Sequence, residues 1–483
     1  MATYYFRNTG DVNWGTASNW SLTDGGGATG AVPTAADDAY FTSNSGNCTI
    51  NTSARVCKTL VFSGVGAGNY AGTLTMTNGI TVSGNVTLSA TMTIAGASGL
   101  TVNAAASLNF NGKTWPNAFV FITGSFTVTL LSDLNITGSI TFNANVTLNG
   151  TFNINCSGGI IMGANAIKGT GTPTLNLLGG TWSNSGTLAI DTNINGNVTI
   201  GTSAVFSGAT LTRLSGTVTT TGSTFFVNAT ISTPTLNVSG ITWNNVNISQ
   251  TITITSDLNV GGLFTMAGSN VTITGTYNIN LYGGLSIAAG LRLLQGTGTT
   301  TVNLYGGTWS GSGRLSLNTN INGNITVSGS VGYDTGTLTY TAITVKANTA
   351  TLTISANSTF INCDKINFKT ITITAGTTQT FNKFFSGSAI QPTRVQSSLT
   401  TSNYTIAFTD NFEKITKFTK ISNCTVTNRS QLLCLTNNSN KGGNIGIRYF
   451  NQLPNGVPKN APTVAAAMAY SVANISDPNF ILN

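Results

Sequence analysis

Twelve carboxylates and a complete absence of histidine bound the chemistry open to this 483-residue chain. The acids are Asp11, Asp24, Asp37, Asp38, Asp133, Asp191, Asp257, Asp334, Asp364, Asp410, Glu413 and Asp477. A glycoside hydrolase of the usual kind sets two such groups about 5–10 Å apart across a sugar. Without histidine, neither a Ser–His triad nor an imidazole general base can form. A lyase with a lysine or arginine base generally also gathers acids around a calcium ion, and the only adjacent acids here are Asp37 and Asp38. Asp133, Asp191 and Asp257 recur at matching places in a repeat whose fourth copy carries Asn318. A turn tolerates that exchange, because either side chain can accept a backbone N–H two residues on; a catalytic acid does not. The expectation is a chain with no catalytic residues, no cofactor and no metal, in which Asp37 and Asp38 shape a cap turn.

Three other residue sets could carry function. Trp115, Trp182, Trp243 and Trp309 recur once per sub-repeat. They suit either a carbohydrate-stacking row or a large residue filling the same corner of each layer, and the corner role is the one adopted. The six cysteines, Cys48, Cys57, Cys156, Cys363, Cys424 and Cys434, form no CxxC, so they are expected as buried thiols packed as small hydrophobes. Charge is sparse at 7% of residues and uneven. Residues 1–344 carry eight basic and eight acidic residues, and residues 345–483 carry twelve and four. Lys414, Lys417, Lys420, Arg429, Lys441 and Arg448 therefore make a candidate contact surface for an acidic partner. No aromatic-interleaved basic motif points to nucleic acid, and no apolar run is long enough for membrane insertion.

What must position these residues is repetitive. TLNLLGGTWSNSGTLAIDTNINGNVTI from Thr174 returns as TVNLYGGTWSGSGRLSLNTNINGNITV from Thr301. LLSDLNITGSITF from Leu130 likewise returns as ITSDLNVGGLFTM from Ile254, giving two units of about 125 residues, at about 130–253 and 254–380. Shorter echoes begin near Asp133, Asp191, Asp257 and Asn318. Apolar residues alternate with Thr, Asn and Ser, the period of a half-buried strand. Gly and Asn-Gly punctuation supplies corners every few residues. Short strands, frequent corners and a long repeat predict an all-β chain built as a parallel β-solenoid, with apolar residues inside and ladders of Thr, Ser and Asn outside. Val198 and Ile325, in the matching GNVTI and GNITV strings, are expected to be buried.

The ends differ from this body. Residues 1–50 predict an N-terminal cap or attachment module, residues 51–390 the solenoid, and residues 391–483 a C-terminal capping and docking module. NWGTASNWSLTDGGGATGAVPTAADDAYF, with GNCTINTSARVCKTLVFSG and GTLTMTNGITVSGNVTL, resembles the opening of repetitive β-helical structural proteins of tailed bacteriophages of aquatic bacteria. SNCTVTNRSQLLCLTNNSNKGGNIGIRYF resembles the close of the same group. The resemblance covers residues 13–90 and 420–450, and it implies a fibre, spike or decoration protein of a virion. MATYYFRNTGDVNW has no basic stretch followed by an apolar core, the mark of a secretory signal. The expectation is thus a virion protein made in a host cytoplasm, assembled as a homotrimer, and touching other virion proteins and a host glycan or protein. A bacterial surface adhesin or surface-layer filament is the alternative, and a polysaccharide-degrading tailspike the second.

Overall fold

A computed structural model describes residues 1–62, 69–228, 233–340, 345–347, 350–363, 366–385, 393–399, 401–409, 414–417, 419–427, 432–435, 439–440 and 447–450. The chain is a parallel β-solenoid. Among the described residues helical geometry is limited to the 3-10 turn Ala17–Asn19 and to Cys363. The chain divides into two compact units, Met1–Asn244 and Asn245–Asn483.

In the first unit, strand alternation becomes layer packing. Along Ile140–Gly150, Ile140, Phe142, Ala144, Val146 and Leu148 turn inward, and the residues between them face out. The strands of successive coils pair in parallel and in register, so Cys57, Val82, Val102, Phe121, Phe142 and Met162 stand one above another. Each is at most 3% exposed, and the Phe121 and Phe142 rings stack at 4.9 Å. Burial of this kind contributes about 1.5–3 kcal/mol per large apolar side chain, but only when a neighbouring coil is present to cover it. Val198 is 1% exposed, as the alternation predicts.

The first fifty residues form an aromatic plug. Thr3–Phe6 pairs antiparallel with Trp20–Ser21 and parallel with Asp38–Tyr40, which pairs onward with Thr59–Val61. Phe6, Trp14, Trp20, Phe41, Phe62 and Tyr70 pack ring against ring and are at most 1% exposed. Such a plug covers apolar surface that the first coil would otherwise expose. The Asp37 carboxylate accepts the Thr34 hydroxyl at 2.6 Å and the Ala2 N–H at 2.7 Å. These bonds hold its pKa below the ordinary value and fit the cap turn read from sequence.

In the second unit, Leu258–Val260, Asn278–Leu281, Thr301–Leu304, Asn318–Ile321, Gly336–Tyr340 and Ser358–Ile361 are successive parallel rungs. Leu258, Ile279, Val302, Thr319, Leu338 and Phe360 form one inward column. Thr319 is tolerated there because its hydroxyl donates to the Leu317 carbonyl at 3.0 Å. Ile325 is 3% exposed. Parallel pairing runs past residue 391: Thr393–Ser397 pairs with Thr370–Ile373 and Thr419–Ile421, and Tyr404–Phe408 pairs with Thr378–Phe381 and Cys424–Val426.

Candidate functional site

The repeated acids tie one coil to the next. The Oδ1 atoms of Asp133, Asp191, Asp257 and Asn318 accept the backbone N–H of Asn153, Thr210, Asn278 and Thr337, at 2.8, 2.9, 2.9 and 3.0 Å. Sequence reasoning placed this bond within the acid's own turn, two residues on. The structure corrects it: the partner lies 19–21 residues on, in the following coil. The aspartates and the asparagine do the same work because only a carbonyl-type acceptor is needed. We therefore expect Asp191→Asn to leave the unfolding free energy from urea titration within about 0.5 kcal/mol of wild type. Asp191→Ala, which removes the acceptor, should cost about 0.5–1.5 kcal/mol. A large loss with Asn would mean that the negative charge itself is needed.

Beside these clasps run two ladders of side-chain amides. In the first unit Asn155 donates to Asn135 at 2.7 Å, Asn176 to Asn155 at 2.7 Å and Asn193 to Asn176 at 2.9 Å. In the second unit Asn280 donates to Asn259, Asn303 to Asn280 and Asn320 to Asn303, at 2.8, 2.8 and 2.9 Å. Chains of this kind polarise one another and strengthen each bond, and the parallel in-register stack is what lets identical amides meet. The outward asparagine ladder expected from sequence is thus present, with named rungs.

Asp11, Asp24 and Asp334 also have local partners, whereas the buried Asp38 Oδ1 has no hydrogen-bond partner among the described residues. Asp11 accepts the Asn13 N–H at 2.9 Å, and Asp24 accepts the Thr42 hydroxyl at 2.7 Å. Asp38 is 9% exposed next to Asp37. Asp334, 4% exposed, lies 3.5 Å from Arg292 and 3.6 Å from Arg314. Register stacks those two arginines on adjacent rungs, and the carboxylate offsets their repulsion. Asp364, Asp410, Glu413 and Asp477 lie outside the described residues. No group of three potential metal ligands occurs among the described residues.

Trp115, Trp182, Trp243 and Trp309 are all buried, at most 2% exposed, so they cannot stack on a carbohydrate. Nor do all four fill one repeated corner, although Trp182 and Trp309 occupy equivalent places in the two repeats. Trp182 sits within a strand between Ile160 and Ile200, and Trp309 within another between Leu285 and Val327. Trp115 faces Ile136 in a different strand series from Trp182, and Trp243 stacks on Phe225 at 4.0 Å. The physical reason is strand alternation: each of the four indoles occupies an inward-facing position of its strand. The Trp182 indole N–H donates to Asn184 Oδ1 at 2.9 Å, a buried polar centre that the sequence analysis did not single out, although alternation puts Asn184 on the same inward face as Trp182.

Cys48, Cys57, Cys156, Cys363 and Cys424 are free and buried, as the packing role requires. Burial raises the Cys48, Cys57 and Cys156 thiols and pushes Cys424 up to about 12, which keeps them protonated and unreactive near neutrality. The Cys434 side chain lies outside the described residues. Of the candidate basic surface, Lys414 and Lys417 belong to the strand Lys414–Lys417, Lys420 to Thr419–Ile421 and Arg448 to Ile447–Phe450, their side chains lying outside the described residues. Arg429 and Lys441 lie wholly outside them. The backbone divides the set: Lys420 pairs with Arg394, whereas Lys414 and Arg448 belong to a separate three-stranded sheet.

A shallow groove opens in the first unit, lined by Ser125, Phe126, Thr127, Asn145, Thr147 and Lys168, with Val146 and Ala166 beneath. It forms where the strand Phe119–Leu130 shifts register against Ile140–Gly150, between Ile122 and Ser125. Asn145 anchors it, accepting the Ala166 N–H at 2.8 Å and donating to the Ser125 hydroxyl at 3.2 Å. Lys168 is the single charged group of its lining, so two-carboxylate chemistry is not built there. No described helix is long and apolar enough to cross a membrane. Comparisons of the chain with protein-family models, with curated proteins and with solved structures find no match.

Proposed function

We propose that this protein is a structural protein of a tailed-bacteriophage virion, a tail fibre, spike or head-decoration fibre that contributes to host attachment, and that it has no enzymatic activity. One observation carries the reading. The side chains that elsewhere do chemistry are here committed to stacking: Asp133, Asp191 and Asp257 clasp the next coil, and the asparagines form continuous ladders. Such a body suits a stiff spacer that holds a binding surface, and the sequence resemblance of its opening and close points to phage particles. In this reading the chain assembles as a homotrimer, with the segment from Lys414 to Arg448 at a contact surface.

Mass spectrometry of purified particles tests the assignment. The chain is expected in amounts comparable with other particle proteins. Its absence from particles, with presence on a bacterial surface, would replace this reading with that of an adhesin. Incubation with host polysaccharide is expected to give no new reducing ends or unsaturated sugars; their appearance would establish a degrading tailspike. Light scattering of the isolated full chain is expected to give three times the single-chain mass.

A further inference from the structure

We propose that the corner carrying Tyr282 and Tyr305 in the second unit is a binding site for a neutral glycan. The two rings stack, centroids 4.9 Å apart and 13° from parallel. They are 47% and 39% exposed, and Leu263 close by is 39% exposed. Parallel register of Leu281 with Leu304 places the tyrosines on neighbouring rungs. Neither phenol hydroxyl is bonded to a described protein group.

The ground beside the rings is bare backbone. A Cβ on Gly283 would lie 2.4 Å from the Gly262 carbonyl carbon, and one on Gly306 would lie 2.7 Å from the Tyr282 oxygen. No side chain larger than hydrogen fits at either glycine, so backbone packs on backbone there and only the half-exposed rings project. An aromatic face of this kind accepts the C–H face of a sugar ring, and Thr308, in register with Gly284 one rung away, is a half-buried hydroxyl on the same stretch of coil.

Comparison of the two repeats isolates the feature. Gly261, Leu263, Tyr282 and Tyr305 correspond to Thr137, Ser139, Ser157 and Leu178 in the first copy. The same frame folds with or without the aromatic pair, so coil stacking does not require it. Charge selects the class of occupant. From Leu258 to Leu291 and from Leu293 to Gly313 the chain has no charged residue, which suits a neutral sugar and offers nothing to an anionic one. Three half-exposed side chains also fall far short of the roughly 1,000 Å² that a specific protein partner needs.

The inference rests on the attachment role proposed above for its biological use, but binding by the isolated chain is measured apart from particle composition, so either can fail alone. The test is affinity electrophoresis of the full-length protein through gels containing hydroxyethylcellulose, galactomannan, xyloglucan or dextran, with alginate as the anionic control. Retardation by at least one neutral polymer is expected. The double variant Tyr282→Ser/Tyr305→Leu restores the first repeat's residues, leaves net charge unchanged and is expected to stay folded. It should weaken that binding roughly tenfold or more, as for loss of aromatic anchors. Leu178→Ala in the first repeat should leave binding unchanged. No retardation by any neutral polymer, or equal retardation of the double variant, would overturn the proposal. So would a change in the variant's mass by light scattering, which would make the corner a contact between copies of this chain.

Discussion

Asn184→Ala is expected to be among the most damaging single substitutions in the first unit, costing about 3–5 kcal/mol. Asn184 stands in register with Met162, in the column of Cys57, Val82, Val102, Phe121 and Phe142. It is 2% exposed, yet fully satisfied. Its Oδ1 accepts the Trp182 indole N–H at 2.9 Å and the Val205 N–H at 2.8 Å, and its Nδ2 donates to the Gly186 and Val205 carbonyls at 2.9 and 2.8 Å. Alanine removes all four bonds at once and leaves their partners buried without water. Leucine fills the space but repairs none of the bonds, so it should be nearly as harmful. Urea unfolding followed by tryptophan fluorescence checks this, with hydrogen exchange at the Val205 amide as the local readout. A loss below 1 kcal/mol, or unchanged protection of Val205, would show that the neighbouring groups find other partners.

Gly307→Ala should be comparably severe in the second unit, about 3–5 kcal/mol, for a steric reason. Gly307 has φ +76°, and a Cβ there would lie 2.1 Å from both the carbonyl carbon and the oxygen of Gly283. These are backbone atoms of the preceding coil, so no rotamer change can relieve the overlap and the rung itself must move. Gly329→Ala is the matched control. Its φ is +68°, but a Cβ there meets nothing within 4 Å, so only left-handed strain of about 1–2 kcal/mol remains. Thermal unfolding of the two variants separates the terms. Equal losses would mean that φ strain alone, not the approach of two coils, makes glycine necessary at Gly307.

Much of this was legible in the residues because it is local. Strand alternation around Val198 and Ile325 follows from a period of two, and the equivalence of Asp191 with Asn318 follows from lining up the copies. The misses share one cause. A contact between coils joins residues about twenty apart, and strings of unequal strands and corners do not reveal where each coil closes. The bond from Asp133 therefore looked like a turn within one segment, and the tryptophans looked like corner residues. Asp334 is 42 residues from Arg292 and 20 from Arg314, and only coil closure brings the three together. The tyrosine pair did leave a trace: LYGG occurs at both Leu281 and Leu304. In a chain with 56 glycines, that string gains meaning only once register places the two rings face to face.

The asparagine ladders have a sense of direction. From Asn193 back to Asn135, and from Asn320 back to Asn259, every amide hydrogen points toward the lower-numbered coil. Aligned amide dipoles add head to tail, as peptide dipoles do along a helix. Each ladder is thus a small permanent electret, positive toward its lower-numbered coils and negative toward its higher-numbered ones. No proton or ion creates that polarity, so it should persist unchanged across pH.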